Sequence, residues 1–224
     1  MRMNIWIRTL AAMLAMSSIG IAQAALQGRN LSGVGVAGSD PSAVFLYDTD
    51  RNITWLRDAN YAETSGFDPD GRMEWSTALG WADGLIIGSW SDWRLPTALN
   101  ADGSPPCSGF TCSGSEMGHF WFTELGNSAG FRSNSGDFQN LQFNVYWSGT
   151  EQGAGGTQAW YFGAHDGGQN LTTKVDLSNF QTGHFYAMAV RDGDVTGVVQ
   201  EPQTYALLLA GMVALLLERR RQSR

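Results

Sequence analysis

The sequence predicts an α+β domain in which an antiparallel meander packs with two helices, and three observations carry that expectation. Trp75, Ala78, Leu79, Ala82, Leu85 and Ile86 recur at the spacing of one helical face. Leu141, Phe143, Val145 and Trp147 alternate with polar or hydrogen-bonding neighbours, and Leu171, Thr173, Val175 and Leu177 do the same, as half-buried strands require. Turn chemistry such as Asp166-Gly167-Gly168 separates these runs at short intervals. Strands mixed with a few helices belong to the α+β class.

In chain order, residues 25–43 are rich in glycine and serine and read as a loose lead-in to a domain over 44–195. Val44–Tyr47 and Ile53–Leu56 flank Asp48-Thr49-Asp50-Arg51-Asn52 as a hairpin. The helix over Trp75–Ile86 is closed by Gly88. A second, shorter helix begins at Ser113, because Ser113 with Glu116 three residues on makes a capping box, and Gly126 terminates it. Met117, Phe120, Trp121, Glu124 and Leu125 lie along one side of it, largely apolar. The last third is sheet: 141–147, 158–164, 171–177, and a nearly continuous apolar run from His184 to Arg191 that reads as a central strand. No repeat of solenoid period is present.

The ends differ from the middle. Residues 1–24 combine Arg2 and Arg8 with an apolar run from Leu10 to Ala22, and then the small-x-small triplet Ala22-Gln23-Ala24. That is the composition of a secretory signal helix, cut between Ala24 and Ala25. Thr204–Leu217 carries no charge and forms an expected transmembrane helix. It is about 21 Å long at ~1.5 Å per residue, so flanking polar groups must snorkel or the bilayer must thin to match a ~30 Å core. Arg219-Arg220-Arg221 follows and holds the tail in the cytoplasm, with the domain outside.

Charge and cysteine content narrow the function classes. The chain carries a formal charge of −7, yet between Ala25 and Gln200 nineteen acidic residues face only eight basic ones. No basic stripe exists to receive a phosphate backbone, so nucleic acid is excluded as a partner. Cys107 and Cys112 are the two cysteines. Export into an oxidising compartment predicts a disulfide that closes a small loop, and two thiols alone do not make a zinc site. Eight tryptophans remain after the signal is removed. Their bulk makes them core material first and sugar-stacking surfaces second.

The candidate chemistry is sparse. Arg94 in Asp92-Trp93-Arg94 reads as a loop anchor paired with Asp92, Asp58 or another carboxylate, since a fixed bidentate contact suits arginine better than lysine. Asp48, Asp50 and Asn52 have the alternate spacing that starts a calcium loop, but Ile53 stands where its glycine belongs and Ala59 where its glutamate belongs. A plain turn is the better reading, there and at Asp68-Pro69-Asp70-Gly71. Glu116 and His119, three apart on a helix, share a face that suits a metal, with no third ligand visible. His165 and His184 have no partner motif. No phosphate loop occurs.

Two resemblances add to this reading. Glu201-Pro202-Gln203, then Thr204-Tyr205-Ala206-Leu207, the apolar helix and the arginine cluster resemble a PEP-CTERM sorting signal over residues 199–224, with Gln200 where that motif has its first proline. The resemblance implies handling by an exosortase after signal peptidase has acted, in bacteria that make exopolysaccharide. Thr54-Trp55-Leu56-Arg57-Asp58-Ala59-Asn60, Ala78-Leu79-Gly80-Trp81-Ala82, Asp92-Trp93-Arg94-Leu95-Pro96-Thr97, Tyr146-Trp147-Ser148-Gly149-Thr150 and Ala189-Val190-Arg191 resemble the Lcl C-terminal domain family, in that family's order. Cys107 to Cys112, followed by Glu116-Met117-Gly118-His119, is similar to an insert in members that carry the sorting tail.

That second resemblance implies a C-type-lectin-like fold, with two helices on a twisted antiparallel sheet. Fold alone does not give function. The short Glu-Pro-Asn, Gln-Pro-Asp and Trp-Asn-Asp runs of calcium-dependent lectins are absent from the domain. The expectation is a non-enzymatic protein anchored first in the inner membrane and then sorted to the surface or matrix, where polysaccharide or another surface component is its ligand. A purely structural matrix protein is one alternative. Another is a copper-binding redox enzyme akin to the formylglycine-generating oxidases, suggested by the spacing of the cysteine pair. No other cofactor is expected, apart from the calcium that the spacing of Asp48 and Asp50 raises.

Overall fold

The computed structural model describes residues 26–131, 134–175 and 183–196. The expected signal helix, its cleavage point at Ala24 and Ala25, the sorting residues Glu201, Pro202 and Arg219–Arg221, and the helix 204–217 lie outside the described residues. Among the described residues no helix is long and apolar enough to cross a membrane.

Among the described residues, two five-stranded sheets and short helices build the domain. In chain order the elements are β1 (Leu26–Asn30), β2 (Gly35–Val36), β3 (Ala43–Asp48), β4 (Ile53–Leu56), α1 (Tyr61–Thr64), β5 (Arg72–Met73), α2 (Trp75–Asp83) and α3 (Glu116–His119). A π-helical turn over Phe120–Glu124 continues α3. There follow β6 (Val145–Glu151), β7 (Gln158–Gly163), β8 (Gln169–Thr173), β9 (Phe185–Tyr186) and β10 (Val190–Asp192). The first sheet runs β10-β4-β3-β1-β2, and the second runs β5-β9-β6-β7-β8. All pairings are antiparallel except β6 with β9. The fold is therefore mixed α+β, with two sheets in place of one meander.

Alternation along the strands divides the core in two. In β3 Phe45 points to one side and Leu46 to the other; opposite them in β4, Leu56 and Trp55 do the same. All four residues of β4 are buried, so the first sheet is covered on both faces. One face packs with Trp75, Ala78, Trp81 and Ala82 of α2 and with Trp93 and Trp147. The other packs with Met117, Phe120, Trp121 and Leu125 around the π-turn, and with Tyr146 and Phe162. Trp55, Trp93, Trp121 and Trp147 are fully buried, so these rings are core and not a stacking platform. Two indoles also tie layers together. The N–H of Trp75 donates to the Ser148 carbonyl and that of Trp147 to the Met73 carbonyl, both at 2.8 Å.

The hairpin, α2 and the strand over 158–163 match their sequence signals. Other segments differ, each for a physical reason. The glycine-rich lead-in supplies β1 and β2. Gly28 pairs with both Val36 and Leu46, and a Cβ there would sit 2.6 Å from the Ala37 carbonyl oxygen. Its glycine serves close strand approach, which composition alone cannot tell from a loop. Helix α2 stops at Asp83, capped by Gly84. Ile86 is then exposed while Ile87 turns inward, on a bend made by Gly88 at φ 64°.

The run expected as one central strand over 184–191 is split between the sheets. Phe185–Tyr186 joins β6 and β5, buried Ala187, Met188 and Ala189 cross over, and Val190–Asp192 pairs with β4. An apolar run long enough for one strand instead ties two sheets, its Ala187–Val190 stretch buried at the crossover and Phe185 and Tyr186 half-buried. The alternation over 141–147 becomes a strand only from Val145, and Phe143 is exposed.

Candidate functional site

Most of the sequence-predicted polar residues converge where the β3–β4 turn, the loop after Trp93 and α3 meet. The turn is an Asx turn: Asp48 Oδ1 accepts the backbone N–H groups of Asp50 and Arg51 at 3.0 and 2.9 Å. Asn52 completes it in the left-handed region at φ 52°, where asparagine is tolerated. Asp50 stays exposed, and the alternate Asp48, Asp50 and Asn52 spacing is built as this Asx turn. At Asp68–Gly71 the same device recurs, with Asp68 Oδ1 accepting the N–H groups of Asp70, Gly71 and Arg72.

Arg94 is an anchor, as expected, but its partner is Glu116. The two guanidinium nitrogens donate to the two Glu116 oxygens at 2.8 and 2.7 Å, and a further contact reaches Asp192 at 2.6 Å. Glu116 Oε2 also accepts the Thr97 N–H at 2.7 Å. The Trp93–Thr97 stretch is thereby pinned to α3 at one end, while Arg94 exchanges backbone hydrogen bonds with Val190 and Trp93 and Leu95 sink into the core. Asp92 instead pairs with Arg191 at 3.1 Å, and Asp58 accepts from the Asn60 N–H and the Asn140 amide.

Two corrections to the second helix follow. Its N-cap is Ser115, whose hydroxyl accepts the Gly118 N–H at 3.0 Å, so Ser113 and Glu116 do not form a capping box. Glu116 is committed to Arg94, so it does not share a metal with His119. Gly126, at φ 62°, does end the segment. Cys107 and Cys112 are joined as a disulfide. The loop they close is fitted against α3, since a Cβ on Gly118 would lie 1.8 Å from the Cys112 carbonyl oxygen. Gln169 of β8 holds the loop's other side, donating to the Cys107 carbonyl at 2.8 Å.

Over this junction opens a groove of about 430 Å³ lined by Asp50, Arg51, Thr97, Asn100, Glu116 and neighbouring loop backbone. Its walls come from three separate stretches of chain. The hydroxyl of Thr97 in its lining bonds with that of Thr150 at 3.0 Å, and Arg51 donates to the Ser113 carbonyl at 3.3 Å. The groove offers hydroxyl, amide, guanidinium and carboxylate groups, with exposed Leu99 at its rim.

Behind the groove His119 does find carboxylate company. Its Nε2 lies 3.2 Å from Glu124 Oε1 and 3.7 Å from Asp48 Oδ2. The Asp48 side chain is fully buried and that of Glu124 almost so. Burial pushes the Asp48 carboxyl above its ordinary range, against the pull of the Arg51 N–H and of His119. Asp48 and His119 are among the residues expected from the sequence, whereas helical spacing sets Glu124 among the apolar residues of its helix face. The signal available was the carboxylate itself at a core-facing position. His165 and His184 stand apart from this junction, beside Asp166 and Glu74 respectively.

No protein-family model, curated protein or solved structure matches the chain.

Proposed function

We propose that this chain is an exported surface or matrix protein that binds a hydroxyl-rich ligand, an exopolysaccharide or a related surface component, without turning it over. The observation that carries the reading is the open groove between the β3–β4 turn and the Thr97–Gly103 loop, where Asp50, Arg51, Thr97, Asn100 and Glu116 supply the polar part of a mixed lining. A neutral sugar polymer is held by hydrogen bonds to such groups, and a site that must recognise hydroxyls needs paired donors and acceptors more than a deep apolar pocket. The acidic surface and the address-like ends of the chain fit a partner met outside the inner membrane, after processing by signal peptidase and an exosortase. A C-type-lectin-like architecture is part of this proposal. It is consistent with the two sheets and short helices, and with a ligand surface made by loops.

The interior tryptophans set a condition on this reading. With most of the indoles in the core, sugar contact falls to groove polar groups, to half-buried Trp90 and Trp160 and to exposed rings such as Phe110 and Phe143. Glycan arrays and pull-down on purified matrix polysaccharide test it, using the exported chain beside Asp50→Ala and Arg51→Ala. Both side chains lie at the groove surface, so binding should fall while the unfolding midpoint stays put. Failure of the wild-type chain to retain any matrix polysaccharide overturns the proposal.

A further inference from the structure

We propose that Asp48, His119 and Glu124 form a binding site for a first-row divalent cation of the zinc class, set behind the groove and independent of the ligand proposed for it. One ligand atom from each side chain lies within 4.8 Å of the other two. The contacts from His119 Nε2, 3.2 Å to Glu124 and 3.7 Å to Asp48, bracket the ~3.3 Å edge of a tetrahedron whose metal–ligand bonds are about 2.0 Å.

Unused bonding capacity points to a ligand. Asp48 Oδ1 is occupied by two backbone N–H groups, whereas Asp48 Oδ2 is buried with no hydrogen-bond partner. Glu124 is in the same condition: Oε1 faces His119, and Oε2 is buried with no hydrogen-bond partner. Buried carboxylate oxygens left bare carry a desolvation cost that a cation removes. Among the described residues His119 is the only basic side chain within ion-pair reach of either carboxylate. Two carboxylates against one imidazole leave the cluster negative even when the ring is protonated, and a divalent ion on a neutral ring balances it. One imidazole nitrogen with two carboxylate oxygens suits zinc or its first-row neighbours, whereas calcium and magnesium prefer oxygen alone.

Local backbone geometry brings the three together. Residues five apart diverge on an α-helix, but the π-turn closes a 3.0 Å bond from the Leu125 N–H to the Phe120 carbonyl and so returns Glu124 to the side of His119. Asp48 arrives from the end of β3, held by its own turn. A bound ion would clamp the hairpin turn to α3 and fix one groove wall against the other. His119 keeps the small solvent exposure, 11% of its side chain, through which an ion enters.

Zinc chloride is titrated by calorimetry into the untagged full chain, purified in mild detergent and stripped with chelator, with Glu124→Gln, Asp48→Asn and, as a surface carboxylate control, Asp83→Asn run in parallel. One saturable site per chain is expected, unchanged in Asp83→Asn and weakened at least about ten-fold in the other two, since even indirect partners of a metal cost that much. Absence of saturable uptake by folded wild type, or equal affinity in Glu124→Gln, overturns the proposal. Cobalt absorption of the wild-type chain keeps the test open should the variants misfold: a low-symmetry spectrum, bleached by zinc, supports the site, and a spectrum of hydrated cobalt alone refutes it.

Discussion

The two halves of the core solve burial differently. Against α2 the cluster of Trp75, Trp81, Trp93 and Trp147 is apolar, and its indole N–H groups at Trp75 and Trp147 end on backbone carbonyls. Against α3 and the π-turn, an equally aromatic cluster of Trp55, Phe120, Trp121 and Phe138 borders buried or half-buried charge at Asp48, Glu116, His119 and Glu124. Charge in an interior costs several kcal/mol per ion unless it is matched. One half is thus largely apolar, and the other accepts electrostatic cost beside an open groove. Sites with a task are where such cost is commonly found.

Substitutions on each side sharpen that contrast, and the largest effect belongs to the dry half. Trp147→Ala opens a cavity and strands the Met73 carbonyl, and should cost about 3–5 kcal/mol in urea unfolding, with zinc affinity unmoved. If it proved milder than changes around α3, the division of labour would be wrong. Glu116→Gln on the charged half should cost about 2–3 kcal/mol. That is less than a fully buried pair, because Arg94 is partly exposed and keeps Asp192.

Asp48→Asn separates electrostatic cost from packing. Asparagine retains the turn-holding oxygen and drops the buried charge. In chelator at neutral pH it should therefore unfold later than wild type, by about 1–2 kcal/mol. With saturating zinc the order should reverse, and a variant that is weaker under both conditions would show that the charge is already balanced.

The smallest effect is a pH dependence in the dry half. The Lys174 ammonium, lying over the Trp75 ring, holds the Glu151 carboxyl below its ordinary 4.5. A depressed carboxyl stabilises the fold above its unfolded value and loses that contribution as pH falls through the folded value. Carbon-detected NMR titration should show Glu151 protonating at lower pH in wild type than in Lys174→Met, with unfolding changed only slightly because the half-buried Glu151 keeps contact with solvent that screens the pair.

Of the candidate site, the turn at Asp48–Asn52, an anchoring role for Arg94 and the cysteine pair were legible in the sequence. Each is announced within a few residues, by turn chemistry, by a guanidinium among apolar neighbours, or by the short spacing of two cysteines. The partner of Arg94 was not legible, because Glu116 lies twenty-two residues away and helical spacing offered it a false role as a cap. Glu124 was hidden for a related reason: α-helical periodicity sets it beside Met117 and Phe120, and only a π-turn sets it beside His119.

The sequence by itself determined the α+β class, the hairpin, α2, the terminator at Gly126 and the tryptophan-rich core, because period and turn preference act over a turn or two of chain. Tertiary structure alone decided that residues 26–36 extend the first sheet, that 185–192 splits between both sheets, and that Asp48, His119 and Glu124 meet. Those outcomes depend on which surfaces cover which, and covering is settled by contacts far apart in the chain that no local pattern records.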